Sequence, residues 1–340
     1  MRSPVRVAGP ARSLLAVLLA VALLLLGACG SDGDDGADGA DNTWSDGATR
    51  TVTTDMGRVT IPTDPQRVVV LNQALAGYLY HLDIPVAGTL PTAADTDDTS
   101  YESYWADDAE EDGTVVLPWS SDGFDLEAIL KLKPDLIVAG GVGFPLAQAT
   151  KAYDKLTDIA PTVIVSGKLD TWQKQFAYLA EDVFEKPAVY QELLADYRDR
   201  IKEVKAAITP PPGPVSYLTV TADGTAYGLI ESLGLPKELK KVGLEPAPLY
   251  ASGHFKAYVS GGDAFPLSTE QVGQYITQKS VFIMGFNADT TDVKTLSKNP
   301  VYAALPAFKS GHAYDLPWWG LRGDYDESMA LLTKVEKLFG

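Results

Sequence analysis

Short runs of β-branched and aliphatic residues alternate with stretches of helical period through the first half of this chain, and that alternation constrains the fold more than any other feature. Arg67-Val68-Val69-Val70-Leu71-Asn72 has an apolar centre without a polar break and reads as a strand buried on both faces. A helical stretch over residues 73–82 and a second run, Pro85-Val86-Ala87-Gly88, complete a βαβ unit. The pattern continues with residues 115–117, then a helix N-capped by Asp125 with Leu126, Ile129, Leu130 and Leu132 apolar. The strand over 135–140, a helix over 146–156 and the strand Thr162-Val163-Ile164-Val165 follow. Strands joined through helices run parallel, and a parallel sheet needs both faces covered, so the expected class is α/β.

The longest helical tract runs over residues 172–208, and Pro187 divides it, because proline fits a first helical turn and not an interior. In its second half Val189, Leu193, Tyr197, Ile201, Val204 and Ile208 recur at spacings of three and four. Pro210-Pro211-Pro212-Gly213-Pro214 stops the helix, and strand patterns restart at 215–221, 225–229, 281–285 and 312–316, with a closing helix from about Asp324. The expected architecture is two Rossmann-like α/β lobes, residues 47–186 and 209–340, joined by a single long interdomain helix over 187–208. A ligand would lie at strand ends facing the crevice between the lobes.

Residues 1–46 set the compartment. Arg2, Arg6 and Arg12 precede an apolar run over 14–26, too short for a bilayer span of about 20 residues, which reads as an export signal over 1–28. The run ends in Leu26-Gly27-Ala28-Cys29, which resembles the lipobox of bacterial lipoproteins, and Cys29 is the only cysteine of the chain. Diacylation there would anchor the chain stably, as one acyl chain would not. Residues 29–46 hold six acids and four glycines with almost nothing apolar, so they read as an extended tether. The 28 basic against 45 acidic residues, net charge −17, argue against nucleic-acid binding. One Cys and three His leave too few soft ligands for a zinc, haem-c or iron–sulfur site built by the protein.

Five segments in order resemble the iron-siderophore substrate-binding lipoproteins of bacterial ABC importers, the class III group that also includes corrinoid and haem binders. They are Ile61-Pro62 with Pro65-Gln66-Arg67-Val68-Val69, Leu126-Glu127-Ala128-Ile129-Leu130 with Leu132-Lys133-Pro134-Asp135-Leu136-Ile137, Ala160-Pro161-Thr162-Val163, Leu267-Ser268-Thr269-Glu270, and Asn299-Pro300 with Gly311-His312-Ala313-Tyr314. The resemblance implies a ferric siderophore as ligand, an ABC permease dimer with its ATPase as partner, a monomeric chain, and no cofactor, the iron arriving chelated. It implies that Glu127 and Glu270, one per lobe at helix starts, dock onto the permease; each could instead cap its own helix. Where relatives carry a Glu in the first helix, this chain has Gly77.

A saturated ferric chelate asks the protein for aromatic walls and a few donors or charges. The candidates follow strands: Trp119, Phe144, Phe286 and the pair Trp318 and Trp319, for which the alternative is that one packs inward and one faces the cleft, since paired residues in a core point in different directions. Arg322 is the candidate charge, its alternative being an ion pair with Asp324 or Asp326. Tyr227 and Tyr258 are further candidates, and the loop Tyr101-Glu102-Ser103-Tyr104-Trp105 either overhangs the cleft or is solvated. The acidic balance points to a trihydroxamate over a trianionic tris-catecholate. A haem receptor would need an axial Tyr or His, with His81, His254 and His312 as the histidines available and His254 alone on a cleft loop. An exported hydrolase lacks support, since there is no Gly-x-Ser-x-Gly, no His-Glu-x-x-His and no Walker loop, and Gly140-Gly141-Val142-Gly143 suits a strand-end turn.

Overall fold

The computed structural model describes residues 47–258, 262–285, 291–321 and 323–340; the expected signal segment, most of the tether, and with it Cys29, lie outside the described residues, as do Phe286 and Arg322. Two five-stranded sheets carry the fold. The first runs Val115–Val116, Val86–Thr89, Val68–Leu71, Leu136–Gly140, Thr162–Val165 from edge to edge, all parallel. In chain order this is 3-2-1-4-5, the Rossmann order, which places a topological switch point between Val68–Leu71 and Leu136–Gly140. A hairpin of Thr49–Thr54 and Gly57–Pro62, not foreseen from the sequence, puts Val52 and Ile61 into the same core.

The second sheet, Ala264–Leu267, Ala226–Leu229, Val215–Val220, Ser280–Met284, Ala313–Asp315, has the same 3-2-1-4-5 order but mixed direction. Ala226–Leu229 is antiparallel to both its neighbours. The reason is local. The connection through Asp223-Gly224, with Gly224 at φ +88°, is a tight turn and too short for a parallel crossover.

Side-chain alternation sorts the core into layers. Val68, Val70, Leu136, Val138, Val163 and Val165 face one way, into a core that continues past the long helix to Val215, Tyr217, Phe282 and Met284 of the second sheet. Val69, Leu71, Ile137, Ala139 and Ile164 face the other way into a separate cluster, as do Leu218, Val220, Val281 and Ile283 in the second sheet. The period of two decides these assignments. Asp135 ties two of the sequence segments together: its carboxylate accepts from the backbone N–H of Gln66 and Arg67 at 2.6 and 3.0 Å.

The tract from Trp172 divides as its proline demands. Trp172–Ala177 runs into a π-helical turn, Tyr178–Val183, and Pro187–Ala207 follows with its proline in the first turn. The deepest stripe of Pro187–Ala207 is Tyr190, Leu194, Tyr197 and Val204, while Val189, Leu193 and Ile201 are only partly buried. That is a rotation by about one residue from the sequence expectation, because the C-terminal helix Tyr325–Phe339 lies along it and covers a second flank. Arg200 donates to Glu336, and Thr209 N–H donates to the Phe339 carbonyl at 2.8 Å. At its other end Tyr325–Phe339 meets the first sheet's helix Gln73–His81, where His81 Nε2 lies 2.9 Å from Asp326 Oδ2.

Candidate functional site

The strand ends at the switch point are shaped by Asn72. Its amide Nδ2 donates to the Gly140 carbonyl at 2.7 Å while its Oδ1 accepts from Ala74 N–H at 3.1 Å, so one side chain bridges two strands and N-caps Gln73–His81. Gly141 sits at φ +82°, and a Cβ there would stand 2.8 Å from Asn72 Nδ2. Only glycine allows this close approach. Gly143, at φ +80°, then turns the chain into the helix Phe144–Thr157 and leaves Phe144 half exposed at its start.

Two adjoining chambers open here. The larger, about 950 Å³, lies between the Phe144 turn, Trp172 and Tyr197 on one side and Leu235, Tyr258 and Leu332 on the other. The smaller, about 470 Å³, is walled by Trp119, Phe144, Tyr104, Trp318 and Trp319, with Glu102, Asp324 and Glu327 among its polar lining. Ala74, Val142, Gly143, Phe144 and Leu321 line both.

Trp119, Phe144, Trp318, Trp319 and Tyr258 thus line the chambers. Trp318 and Trp319 both face the smaller one, because they lie in a 3₁₀ turn, Trp318–Leu321, where neighbouring side chains are not driven to opposite faces as in a strand. Tyr227 lines neither chamber and meets Tyr258 edge-on with ring centroids 6.3 Å apart. Glu127 and Glu270 are exposed in the first turns of Leu126–Lys131 and Thr269–Tyr275. Neither serves as a cap. Asp125 caps the first helix by accepting from Ala128 N–H at 2.9 Å, and Ser268 with Gln271 forms a capping box at the second. His81 is tied to Asp326, His254 lies beside Tyr275 and His312 beside Tyr314, so no histidine lines a chamber.

Further residues complete the lining or support it, and of these Gln148, Glu327 and the cavity role of Asp324 were not singled out from the sequence. The 101–105 loop does overhang the cleft: Tyr104 meets Trp319 edge-on at 5.9 Å and Glu102 faces the smaller chamber. Trp119 is held by Gln148, whose Oε1 accepts from the indole Nε1 at 2.6 Å while its Nε2 donates to the carbonyls of Ser120 and Ser121 at 2.9 and 3.1 Å. Asp324 and Glu327 form the capping box of Tyr325–Phe339, each accepting from the other's backbone N–H at 3.0 Å. Their cap motif is legible as a helix start, but nothing in it tells that the cap faces a cavity. Burial, and then the charge of Asp326, push the Asp324 carboxyl up to about 7. Burial followed by the charge of Asp324 holds Glu327 well above the carboxylate range, and burial followed by Asp98 raises Glu102.

The acids lining the two chambers are Asp170, Glu238, Asp263, Glu102, Asp324 and Glu327, and no lysine or arginine lines either among the described residues. Also among the described residues, no three His, Cys, Asp or Glu side chains are grouped to hold a metal ion, and no helix is long and apolar enough to cross a membrane.

A family model described as periplasmic binding protein matches residues 68–318. The chain is similar to the ferric enterobactin-binding periplasmic protein FepB of Escherichia coli O6:H1, 29% identical over 304 residues that cover 85% of this chain and 91% of that one. It is similar to the Fe(3+)-citrate-binding protein YfmC of Bacillus subtilis, 24% identical over 305 residues covering 85% and 86%. In structure it is similar to Staphylococcus aureus SirA complexed with staphyloferrin B, with a TM-score of 0.66 at 21% identity, covering 86% of this chain and 99% of that one. At that identity the likeness speaks for the fold.

Proposed function

Because the chain belongs to the periplasmic binding protein family, and is therefore a substrate-binding protein and not an enzyme, we propose that it captures a ferric siderophore of the trihydroxamate type outside the cytoplasm and delivers it to an ABC importer. The observation that carries the ligand class is the lining of the cleft. Aromatic rings supply the area and six acids line it, Asp170 and Glu238 paired with Lys174 and Lys241 and Asp324 and Glu327 held towards the protonated form, while no basic residue joins the lining among the described ones. A ferric trihydroxamate is neutral or cationic, whereas a tris-catecholate brings three negative charges that these carboxylates would repel. The larger chamber, about 950 Å³, suits a compact chelate, since ligand pockets run to about 300–1,000 Å³.

The names of the relatives support iron chelates in general, being ferric enterobactin in one and ferric citrate in another. They favour a second reading, an anionic ferric chelate, on the strength of the 29% identity to FepB. In either reading the iron is cargo, held by its chelator, and the protein contributes ring faces, the Asn72 region and charge.

Delivery is assigned to Glu127 and Glu270, exposed at matching helix starts and not engaged in capping. Attachment to the membrane is assigned to Cys29 on the sequence pattern around it. The test is tryptophan fluorescence of the purified chain titrated with ferric trihydroxamates, ferric catecholates, ferric citrate, haem and cobalamin, with iron-free chelators as controls. Saturable quenching by ferric trihydroxamates, weakened in Trp119→Ala and Trp319→Ala, is expected. Tighter binding of a ferric catecholate or citrate would replace the ligand class, and a Soret band on the loaded chain would make it a haem receptor.

A further inference from the structure

We propose that the cargo carries a protonated amine on an arm, that the ferric core occupies the larger chamber, and that the ammonium group is received in the smaller chamber by Glu102, Asp324 and Glu327. The inference rests on the ferric-siderophore reading above and names the chemistry of the part of the ligand remote from iron.

Three carboxylates from two separate segments, the 101–105 loop and the head of Tyr325–Phe339, face one chamber whose other walls are the rings of Trp119, Phe144, Tyr104 and Trp319. Asp324 is only 3% exposed. Among the described residues none of the three makes an ion pair, whereas in the larger chamber Asp170 is paired with Lys174 and Glu238 with Lys241. Carboxyl groups on a buried wall with no cation beside them are held towards the protonated form, and a cation delivered by the ligand lets them ionise. Helix capping does not require these charges. In the same chain Ser268 and Gln271 make the equivalent box with neutral side chains. Gly77 also makes room for the acid, since a Cβ there would lie 2.7 Å from Asp324 Oδ2. Ring faces beside carboxylates complete a site for an ammonium group, which gains from both. A ferric trihydroxamate without an arm is neutral at its core, so a charge read by this chamber must sit on the arm.

Among the described residues, the titratable and charged groups around the pair are Tyr78 and His81 on Gln73–His81, Asp326 on its own helix, Glu102 and Tyr104 of the loop and, farther out, Asp98 before it and Asp108 after it. All but His81 are acids or phenols, and His81 is already engaged by Asp326. Burial and mutual repulsion keep a proton on the Asp324 and Glu327 pair near neutrality. An arriving ammonium displaces it, so binding of the amine form should strengthen as pH rises.

The test compares two ligands with identical iron coordination, ferrioxamine B, which has a free terminal ammonium, and its N-acetylated form, which is neutral there. With the full chain, acetylation should weaken binding about tenfold, the scale of one charge-assisted contact. Glu102→Gln with Glu327→Gln should remove that difference, the two ligands then binding equally. Glu102→Gln alone, which leaves the helix cap intact, should halve the logarithm of the difference if the double variant folds poorly. Between pH 6 and pH 8 affinity should rise for the amine ligand and stay flat for the acetylated one. Equal affinities for the two ligands, or a difference that survives Glu102→Gln with Glu327→Gln, would overturn the proposal and leave the siderophore reading standing. No binding of either ligand, with a ferric catecholate or citrate binding instead, would overturn the trihydroxamate reading and this proposal with it.

Discussion

Gly77 and Asp324 approach so closely that a methyl group on the glycine would stand 2.7 Å from the aspartate Oδ2 and 3.3 Å from Cδ1 of Trp105. The contact joins the first helix of the first sheet to the head of the C-terminal helix, at a carboxylate held by its capping bonds and unable to swing away. A helix that should prefer alanine therefore keeps glycine.

Gly77→Ala follows directly. Helix propensity favours alanine by about 1 kcal/mol, but overpacking at a fixed neighbour costs about 1–3 kcal/mol. The expected net is a loss of about 1 kcal/mol, read as a lower urea midpoint. Gly273→Ala is the control, in the helix Thr269–Tyr275 with its nearest neighbour atom at 3.9 Å, and should stabilise the chain. A stabilised Gly77→Ala would show that Asp324 yields.

The pair His81 and Asp326 makes stability depend on pH. Burial works to lower the His81 value, and the hydrogen bond and charge of Asp326, aided by Asp324 and Asp108, outweigh it and hold it above 6.5. A group raised on folding contributes fully below its unfolded value and fades as pH rises through the folded one. Asp324 acts in the same sense, since its ionisation on a buried wall, delayed from 3.8 to about 7, costs stability over that range. The Tm should therefore fall from pH 5 to pH 8.5. His81→Gln and Asp324→Asn should each flatten the slope, and a Tm that rose across this window would contradict the assignment.

Gln148 positions Trp119 without lining either chamber. Gln148→Ala removes the acceptor of the indole N–H and the two bonds to Ser120 and Ser121, each worth about 1 kcal/mol. Ligand affinity should drop about tenfold with the iron-dependent quenching reduced. Gln148→Glu, which keeps the acceptor but loses both donations to Ser120 and Ser121, should recover only part of the loss. Equal losses in both variants would mean a general loosening of the helix Phe144–Thr157.

Glu127→Ala with Glu270→Ala should abolish uptake in cells while ligand affinity and Tm stay within error, because both side chains are exposed and their helices are capped by Asp125 and Ser268. Leu130, 57% exposed one turn after Glu127, belongs to the same face. Its replacement by Asp should reduce transport as well. Undiminished uptake in the double variant would remove the docking role.

Lobe motion should be small. The core runs without a break from the first sheet past Pro187–Ala207 to the second, and Tyr325–Phe339 adds a second connection through Arg200 with Glu336 and His81 with Asp326. Small-angle scattering should show little compaction on ligand binding, and a large change would mean that these contacts break.

How much of this was legible in the sequence depended on the range of the interaction responsible. The strands at Val68–Leu71, Leu136–Gly140 and Thr162–Val165, the divide at Pro187 and the cap at Asp125 follow from neighbours a few residues apart, where pattern and propensity act. Trp119, Phe144, Trp318 and Trp319 were foreseen as lining residues because they follow strands, and strand ends at a switch point face the crevice. Glu102 was named only within a loop that could overhang the cleft or be solvated, and the lining pair Asp324 and Glu327 and the supporting Gln148 were not singled out, since each has a complete local explanation as a cap or a helix residue.

The amino-acid sequence by itself determined the α/β class, the segment order, the turns and the acidic, cysteine-poor chemistry, all of which act along the chain. Only the tertiary structure decided which caps look into solvent and which into a cavity. Asp125, Ser268 and Asp324 do the same local work, and what separates them is the element packed opposite. For the third, that element is Gln73–His81, brought to it across 245 residues at His81 and Asp326. Burial and the neighbouring charges then turn an ordinary helix start into a wall that favours a cation.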